Sequence, residues 1–125
     1  MPRILVVEDE PLISMLMENW LHELGCEMAG PAITEQAALD YLGNGEIDAA
    51  ILDIHLGNTN SYSLAGTLRK HGVPIAFSTG DGAPSAPGFE DLPVLRKPFD
   101  FEAMKIVVGK LLAKPQGPAP SGQVA

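Results

Sequence analysis

One cysteine, half as many basic as acidic side chains and no long apolar run set the first limits on this 125-residue chain. The lone Cys26 has no partner for an intramolecular disulfide, which fits a reducing compartment, and a cytoplasmic location is expected. Its expected role is that of a small buried hydrophobe rather than a reactive thiol. Eight lysines and arginines against sixteen acids leave a net charge of −8, which opposes any approach to a phosphate backbone, so nucleic-acid binding is not expected. Nothing in the chain approaches the roughly 20 consecutive apolar residues of a membrane helix. Met1-Pro2-Arg3 leads straight into a strand-like run, unlike a signal peptide, and no membrane partner is expected. The length suits one core and not two, so a separate effector domain is not expected either.

What is present is an alternation of buried strands and amphipathic helices. Apolar residues make up 46% of the chain and argue for a globular fold. Ile4 to Val7 reads as a buried strand, and Pro11 suits the first turn of a helix whose stripe is Ile13, Leu16, Met17, Trp20 and Leu24, stopping at Gly25. Trp20 reads as a packing residue. A short strand over 27–30 precedes a helix capped by Thr34 and ending at Tyr41-Leu42, and a strand over 48–52 follows. Gly57 to Asn60 is a turn cluster, Ser61 a candidate cap for a helix through Leu64 and Leu68, and Pro74 to Ser78 a further strand. Asp100 caps a last helix with Met104, Val107, Val108 and Leu111 on its buried face. Such alternation implies right-handed crossovers and a parallel sheet covered by helices. Residues 80–93, rich in glycine and proline, break it, and no full-length helix is expected there. Residues 1–113 are expected to form the domain, and 114–125 a disordered tail with little to bury.

The apolar runs stop in charge. Val7 gives way to Glu8-Asp9-Glu10, Leu52 to Asp53, and Leu95 to Arg96-Lys97-Pro98. If these are parallel strands, their carboxyl ends share one edge, where open α/β sheets bind ligands. Three carboxylates there would repel one another and raise a pKa unless a cation intervened. A hard divalent ion such as Mg²⁺ suits oxygen ligands of this kind. Asp53 would then be placed as a carboxylate nucleophile toward a phosphoryl donor, with Lys97 as a compact positive charge and Thr79 as a hydroxyl donor. Each piece alone is commonplace; the ordered set is specific.

In ILVVEDEPLI, the strand ending at Asp53, VPIAFSTG and VLRKPF, the chain resembles the receiver domains of two-component response regulators over residues 3–113. The resemblance implies a flavodoxin-like, doubly wound, five-stranded parallel sheet of order 2-1-3-4-5 with helices on both faces, the fourth helix here shortened or disordered. It implies Asp53 as phosphoacceptor, Asp9 as a direct Mg²⁺ ligand, Glu8 as a ligand partly through water, and His55 as a ligand through its backbone carbonyl. Thr79 would be the switch hydroxyl, Lys97 the phosphoryl contact, and Lys97-Pro98 a cis peptide. The position where the family carries a switch aromatic is Val94, and Phe77-x-Thr79-Gly80 is similar to the subgroup called FATGUY receivers. The implied partners are a sensor histidine kinase, in that subgroup often of the HWE type, and a downstream protein or phosphotransfer protein. Activity would be limited to the chain's own phosphorylation and dephosphorylation, and nothing forces a dimer, so a monomer is expected.

On this reading Thr79 and the Gly80 amide close on the phosphoryl oxygens and the loose segment 80–93 becomes ordered. Two alternatives stand beside it. A small phosphatase with an aspartyl nucleophile usually has a second acid two positions on, where this chain has His55. A pseudo-receiver working without phosphorylation has little support, since every required side chain is present. The Gly80-x-Gly82-x-x-Ser85 run imitates a dinucleotide fingerprint but has no helix pattern after it, and His22 and His71 lack a second ligand at metal spacing.

Overall fold

A computed structural model of the chain describes residues 1–82 and 84–113. The strand β1 (Arg3–Val7) leads to helix α1 (Pro11–Glu23), β2 (Glu27–Ala32), α2 (Glu35–Gly43) and β3 (Ala49–Asp53). A small antiparallel hairpin, β4 (His55–Leu56) and β5 (Thr59–Asn60), precedes α3 (Tyr62–Lys70), β6 (Ile75–Thr79), β7 (Val94–Arg96) and α4 (Phe101–Ala113). The main sheet has five strands in the order β2-β1-β3-β6-β7, all parallel, which is the expected flavodoxin-like order once the hairpin is set aside.

Both sheet faces are covered, and the two-residue period of the strands divides the core. Leu5, Val7, Leu52 and Phe77 pack with Ala38 of α2 and Leu64 and Leu68 of α3. Ile4, Val6, Ile51 and Ala76 pack with Met17 and Leu21 of α1 and with Met104, Val107, Val108 and Leu111 of α4. The α4 stripe is the one that the sequence predicts. In α1 the stripe is shifted: the fully buried residues are Ser14, Met17 and Leu21, the expected Ile13, Trp20 and Leu24 pack half-buried against the same core, and Leu16 is 46% exposed. A polar residue, Ser14, occupies one of the inward positions and bonds back to the Pro11 carbonyl, which hid the true face.

Strand β2 is longer than expected because the chain continues through a cis Gly30–Pro31 peptide to Ala32, with a register shift against β1. Gly30 has φ +123°, and a Cβ there would lie 2.6 Å from the Val6 carbonyl oxygen, so only glycine fits beside β1. The Lys97–Pro98 peptide is cis. Thr34 caps α2 by accepting from the Ala37 amide at 3.1 Å, and Asp100 caps α4 by accepting from the Ala103 amide at 2.9 Å.

Among the described residues of 80–93 there is no helix or strand, as the composition predicts, but the segment is not loose. Phe89 stacks on Tyr62 and meets Phe77 edge-on, with the Arg69 guanidinium 5.4 Å from its ring centroid. The Arg69 guanidinium also donates to the Gly88 carbonyl at 2.6 Å, the Ser85 amide to the Tyr62 hydroxyl at 2.9 Å, and Arg96 to the Gly82 carbonyl at 2.7 Å. The tail predicted over 114–125 lies outside the described residues.

Candidate functional site

The carboxyl ends of β1, β3, β6 and β7 meet, and the loops leaving them carry the charged groups. Glu8 and Asp9 follow β1 directly, Asp53 ends β3, Thr79 ends β6, and Lys97 follows β7. Carboxylate oxygens of Glu8, Asp9 and Asp53 lie within 4.8 Å of one another. Glu8 and Asp53 are buried and Asp9 is exposed. The Asp53 side chain keeps 7% of its surface, a narrow opening rather than a seal.

Lys97 neutralises part of this charge. Its ammonium donates to Asp53 Oδ2 at 3.1 Å, to Glu8 Oε2 at 3.2 Å and, more weakly, to Glu10 Oε2 at 3.5 Å. Burial lifts the Glu8 carboxyl above its ordinary range; the Glu10 amide and the Lys97 ammonium pull it back, and repulsion from Asp53 adds to the rise. Burial also disfavours the charged Lys97, but its hydrogen bonds and attraction to Glu8 and Asp53 outweigh that and hold it above the usual lysine range. One oxygen, Glu8 Oε1, is buried without a hydrogen bond. It lies 3.1 Å from the Lys97 ammonium, near enough for attraction but out of line for donation. An unsatisfied buried carboxylate oxygen among hard oxygen donors fits a hard divalent cation.

The β4–β5 hairpin supplies amide donors to two of the acids. The His55 amide donates to Asp53 Oδ1 at 3.2 Å, and the Gly57 amide to Asp9 Oδ2 at 3.3 Å. Gly57 has φ +59° at the first central position of the hairpin turn, the backbone sign that a type II′ turn requires there. The His55 ring is exposed.

Thr79 is buried, and its hydroxyl is not on Asp53. It donates to the Asp81 carbonyl at 2.8 Å and accepts from the Asp81 amide at 3.1 Å, closing a small ring at the start of the 80–93 segment. Gly80 is exposed, Val94 is half-buried on β7, and the exposed Pro98 lines an open groove with Phe99, Ala103 and Ile106.

Sequence reasoning missed three participants. Glu10 was read only as part of an acidic turn, yet it reaches Lys97. Asp81 engages the Thr79 hydroxyl through its backbone, which no side-chain pattern announces. Ser61 was read as a helix cap; it occupies the cap position of α3 but its side chain caps nothing, and donates instead to the Asp53 carbonyl at 2.8 Å.

The chain is similar to known proteins over most of its length. The model of the response regulator receiver domain family matches residues 4–109. Among curated proteins, the transcriptional regulatory protein MalR of Bacillus subtilis (strain 168) is 31% identical over 109 residues, covering 82% of this chain and 46% of MalR. The chain spans about half the length of such relatives. Among solved structures, SdrG from Sphingomonas melonis Fr1 superposes with a TM-score of 0.79 at 39% identity, covering 90% of this chain and 97% of that one. A chain of the complex of histidine kinase ThkA with response regulator protein TrrA gives a TM-score of 0.76 at 33% identity, covering 90% and 99%.

Proposed function

Since this chain belongs to the response regulator receiver domain family, we propose that it accepts a phosphoryl group on Asp53 from a sensor histidine kinase and signals through the change this makes at its surface. The observation that carries the reading is the convergence of Asp53, Glu8, Asp9 and Lys97 on one pocket at the sheet edge. The kinase assignment is supported by the ThkA–TrrA complex among the structural relatives.

In this mechanism one Asp53 carboxylate oxygen attacks phosphorus as the bond to the donor nitrogen breaks. The His55 amide holds the other end of the carboxylate, and Lys97 shifts from the Glu8–Asp53 pair toward the phosphoryl oxygens. Glu8 and Asp9, with Asp53 and the His55 carbonyl, are the residues that would hold Mg²⁺. Bound there, the ion would screen the repulsion between an anionic nucleophile and an anionic donor. The Thr79 hydroxyl leaves Asp81 and, with the Gly80 amide, takes the new charge. A phosphoryl group forms one to three charge-assisted hydrogen bonds, each worth about 1.5 to 3 kcal/mol, against about 5.5 kcal/mol for a complete switch. The two magnitudes are comparable.

The Phe77-x-Thr79-Gly80 motif and Val94 in place of an aromatic favour the FATGUY subgroup and an HWE-type kinase. The output is contact with a downstream protein or onward transfer to a phosphotransfer protein, from a cytoplasmic monomer. Among the described residues no helix is long and apolar enough to cross a membrane.

A Mg²⁺-dependent radiolabelled band that appears with a cognate kinase and is lost in Asp53→Ala is the expected result. Labelling that survives Asp53→Ala would overturn the assignment. Repeated turnover of a phosphomonoester would favour the phosphatase alternative, and partner binding by Asp53→Ala equal to that of the phosphorylated protein would favour a pseudo-receiver.

A further inference from the structure

Ser61 is buried, and both of its donors turn back on the strand that carries the nucleophile. Its hydroxyl donates to the Asp53 carbonyl at 2.8 Å and its amide to the Ile54 carbonyl at 3.0 Å, while its own carbonyl accepts from Ala65 at 2.9 Å to start α3. One residue thus fastens two successive carbonyls at the end of β3 to the first turn of a helix. The chain between them is the β4–β5 hairpin, whose amides at His55 and Gly57 reach the carboxylates of Asp53 and Asp9.

The Ser61 hydroxyl gives up the role that a serine at this position usually has. A helix cap donates nothing to a strand; it accepts from an amide of the first turn. Here the Ser61 side chain accepts from no amide of the first turn, and the Tyr62 amide at the start of α3 donates to Asn60 Oδ1 at 3.1 Å. Past Asp53 the ladder with β6 ends, the last bond being from the Ile54 amide to the Ser78 carbonyl at 3.0 Å. Without Ser61 the buried Asp53 carbonyl would lose the one hydrogen bond that ties it across the hairpin.

We infer that Ser61 is a positioning residue for the reaction at Asp53: by closing the hairpin on the Asp53 carbonyl it fixes the nucleophile and, through the His55 and Gly57 amides, both exposed and buried acids of the pocket. The inference rests on the reading of Asp53 as phosphoacceptor. It assigns Ser61 no contact with the phosphoryl group. Small displacements of a reacting group cost large factors in rate, about a hundredfold for an ångström in demanding cases, so a partial loosening should be readable.

The test uses the full chain with Ser61→Ala, which removes the hydroxyl, and Ser61→Thr, which keeps it. In amide spectra recorded without metal or donor, Ser61→Ala should shift the His55 and Gly57 amides toward weaker hydrogen bonding, and Ser61→Thr should return them. Phosphorylation by a small phosphoramidate with Mg²⁺ should slow about tenfold or more in the alanine variant and recover in the threonine variant. A folded alanine variant with unmoved His55 and Gly57 amides and an unchanged rate overturns the inference. So does a loss of thermal stability without those shifts, and so does a threonine variant as slow as the alanine one, since shape rather than the donated proton would then matter. Should Ser61→Ala not fold, Ser61→Cys, similar in shape and a weak donor, is read by the same criteria. A wild-type chain that takes no phosphoryl group from any donor defeats the phosphoacceptor reading instead, while the amide shifts still decide whether Ser61 holds Asp53.

Discussion

The Lys97 ammonium reaches Asp53 Oδ2 at 3.1 Å by crossing over β6, the strand that separates β7 from β3 in the sheet. The same ammonium holds Glu8, so one cation compensates two buried acids at the ends of the adjacent strands β1 and β3.

Removing that cation should be costly. Lys97→Met leaves Glu8 and Asp53 facing one another without compensation, and should destabilise the fold by about 2 to 3 kcal/mol, the low end for a broken buried pair because the lysine keeps some contact with water. Urea unfolding in chelator measures it, and millimolar Mg²⁺ should restore much of the loss. A midpoint unmoved by the substitution would mean that the pair contributes nothing.

The raised Glu8 carboxyl predicts a sign for the pH dependence. A folded-state pKa above the ordinary 4.5 means that the native state binds more protons than the unfolded chain just above that value, so stability falls as pH rises from 4.5 through the folded pKa. Glu8→Gln should flatten this decline. Lys97, also raised, contributes stability that is present below its ordinary 10.5 and lost above it, as pH rises through its higher folded value. Urea midpoints of wild type and Glu8→Gln in chelator provide the comparison; parallel curves across the acidic range would refute the assignment to Glu8.

Thr79→Ala should uncouple the 80–93 segment from the pocket. The Asp81 amide loses its acceptor and should exchange faster with solvent, and beryllofluoride with Mg²⁺, expected to shift Asp81 and Gly82 in wild type, should leave them unmoved in the variant. Thr79→Ser keeps the hydroxyl and should behave like wild type. Equal beryllofluoride responses in the alanine variant would remove Thr79 from the switch.

Phe89→Ala tests the anchor of that segment. The ring is half-buried against Tyr62, Phe77 and Arg69, so a loss of about 2 kcal/mol is expected, below the full cost of emptying a core site. Limited proteolysis should cut within 80–93 in the variant and spare wild type.

Gly30→Ala should be worse than its size suggests. The new methyl would meet the Val6 carbonyl, a backbone atom of β1 that cannot step aside, at a backbone angle that only glycine adopts freely. A loss of about 3 kcal/mol is expected by thermal or urea unfolding. A loss under a third of that would show that β2 can slide away from β1.

The parallel sheet and the gathering of acids at one edge were legible because buried parallel strands leave apolar runs that stop abruptly in charge, whereas the strand order came from the resemblance to receiver domains. The α4 face was legible for a similar reason: Met104, Val107, Val108 and Leu111 repeat at helical spacing with no polar intruder. The α1 face was misread where Ser14 turned inward and Leu16 outward, since a serine satisfied by its own helix can sit where a leucine is expected. The hairpin was read only as a turn cluster, although Gly57-Asn58 between two short pairs is the usual two-residue signal; strands of two residues show too little alternation to register. The partners of Thr79 and Ser61 are backbone carbonyls, which every residue has, so no pattern of side chains announces them.

The anchoring of the 80–93 segment also limits how far any rearrangement there can travel. The Tyr62 hydroxyl grips Ser85, only six positions after Thr79, and six residues reach roughly 20 Å even when drawn out straight. With Arg69 and the stacked Phe89 gripping the stretch further on, motion arising at the sheet edge is confined to a short tether. A binding partner would therefore feel a change in one small patch beside the pocket, not the sweep of a whole helix.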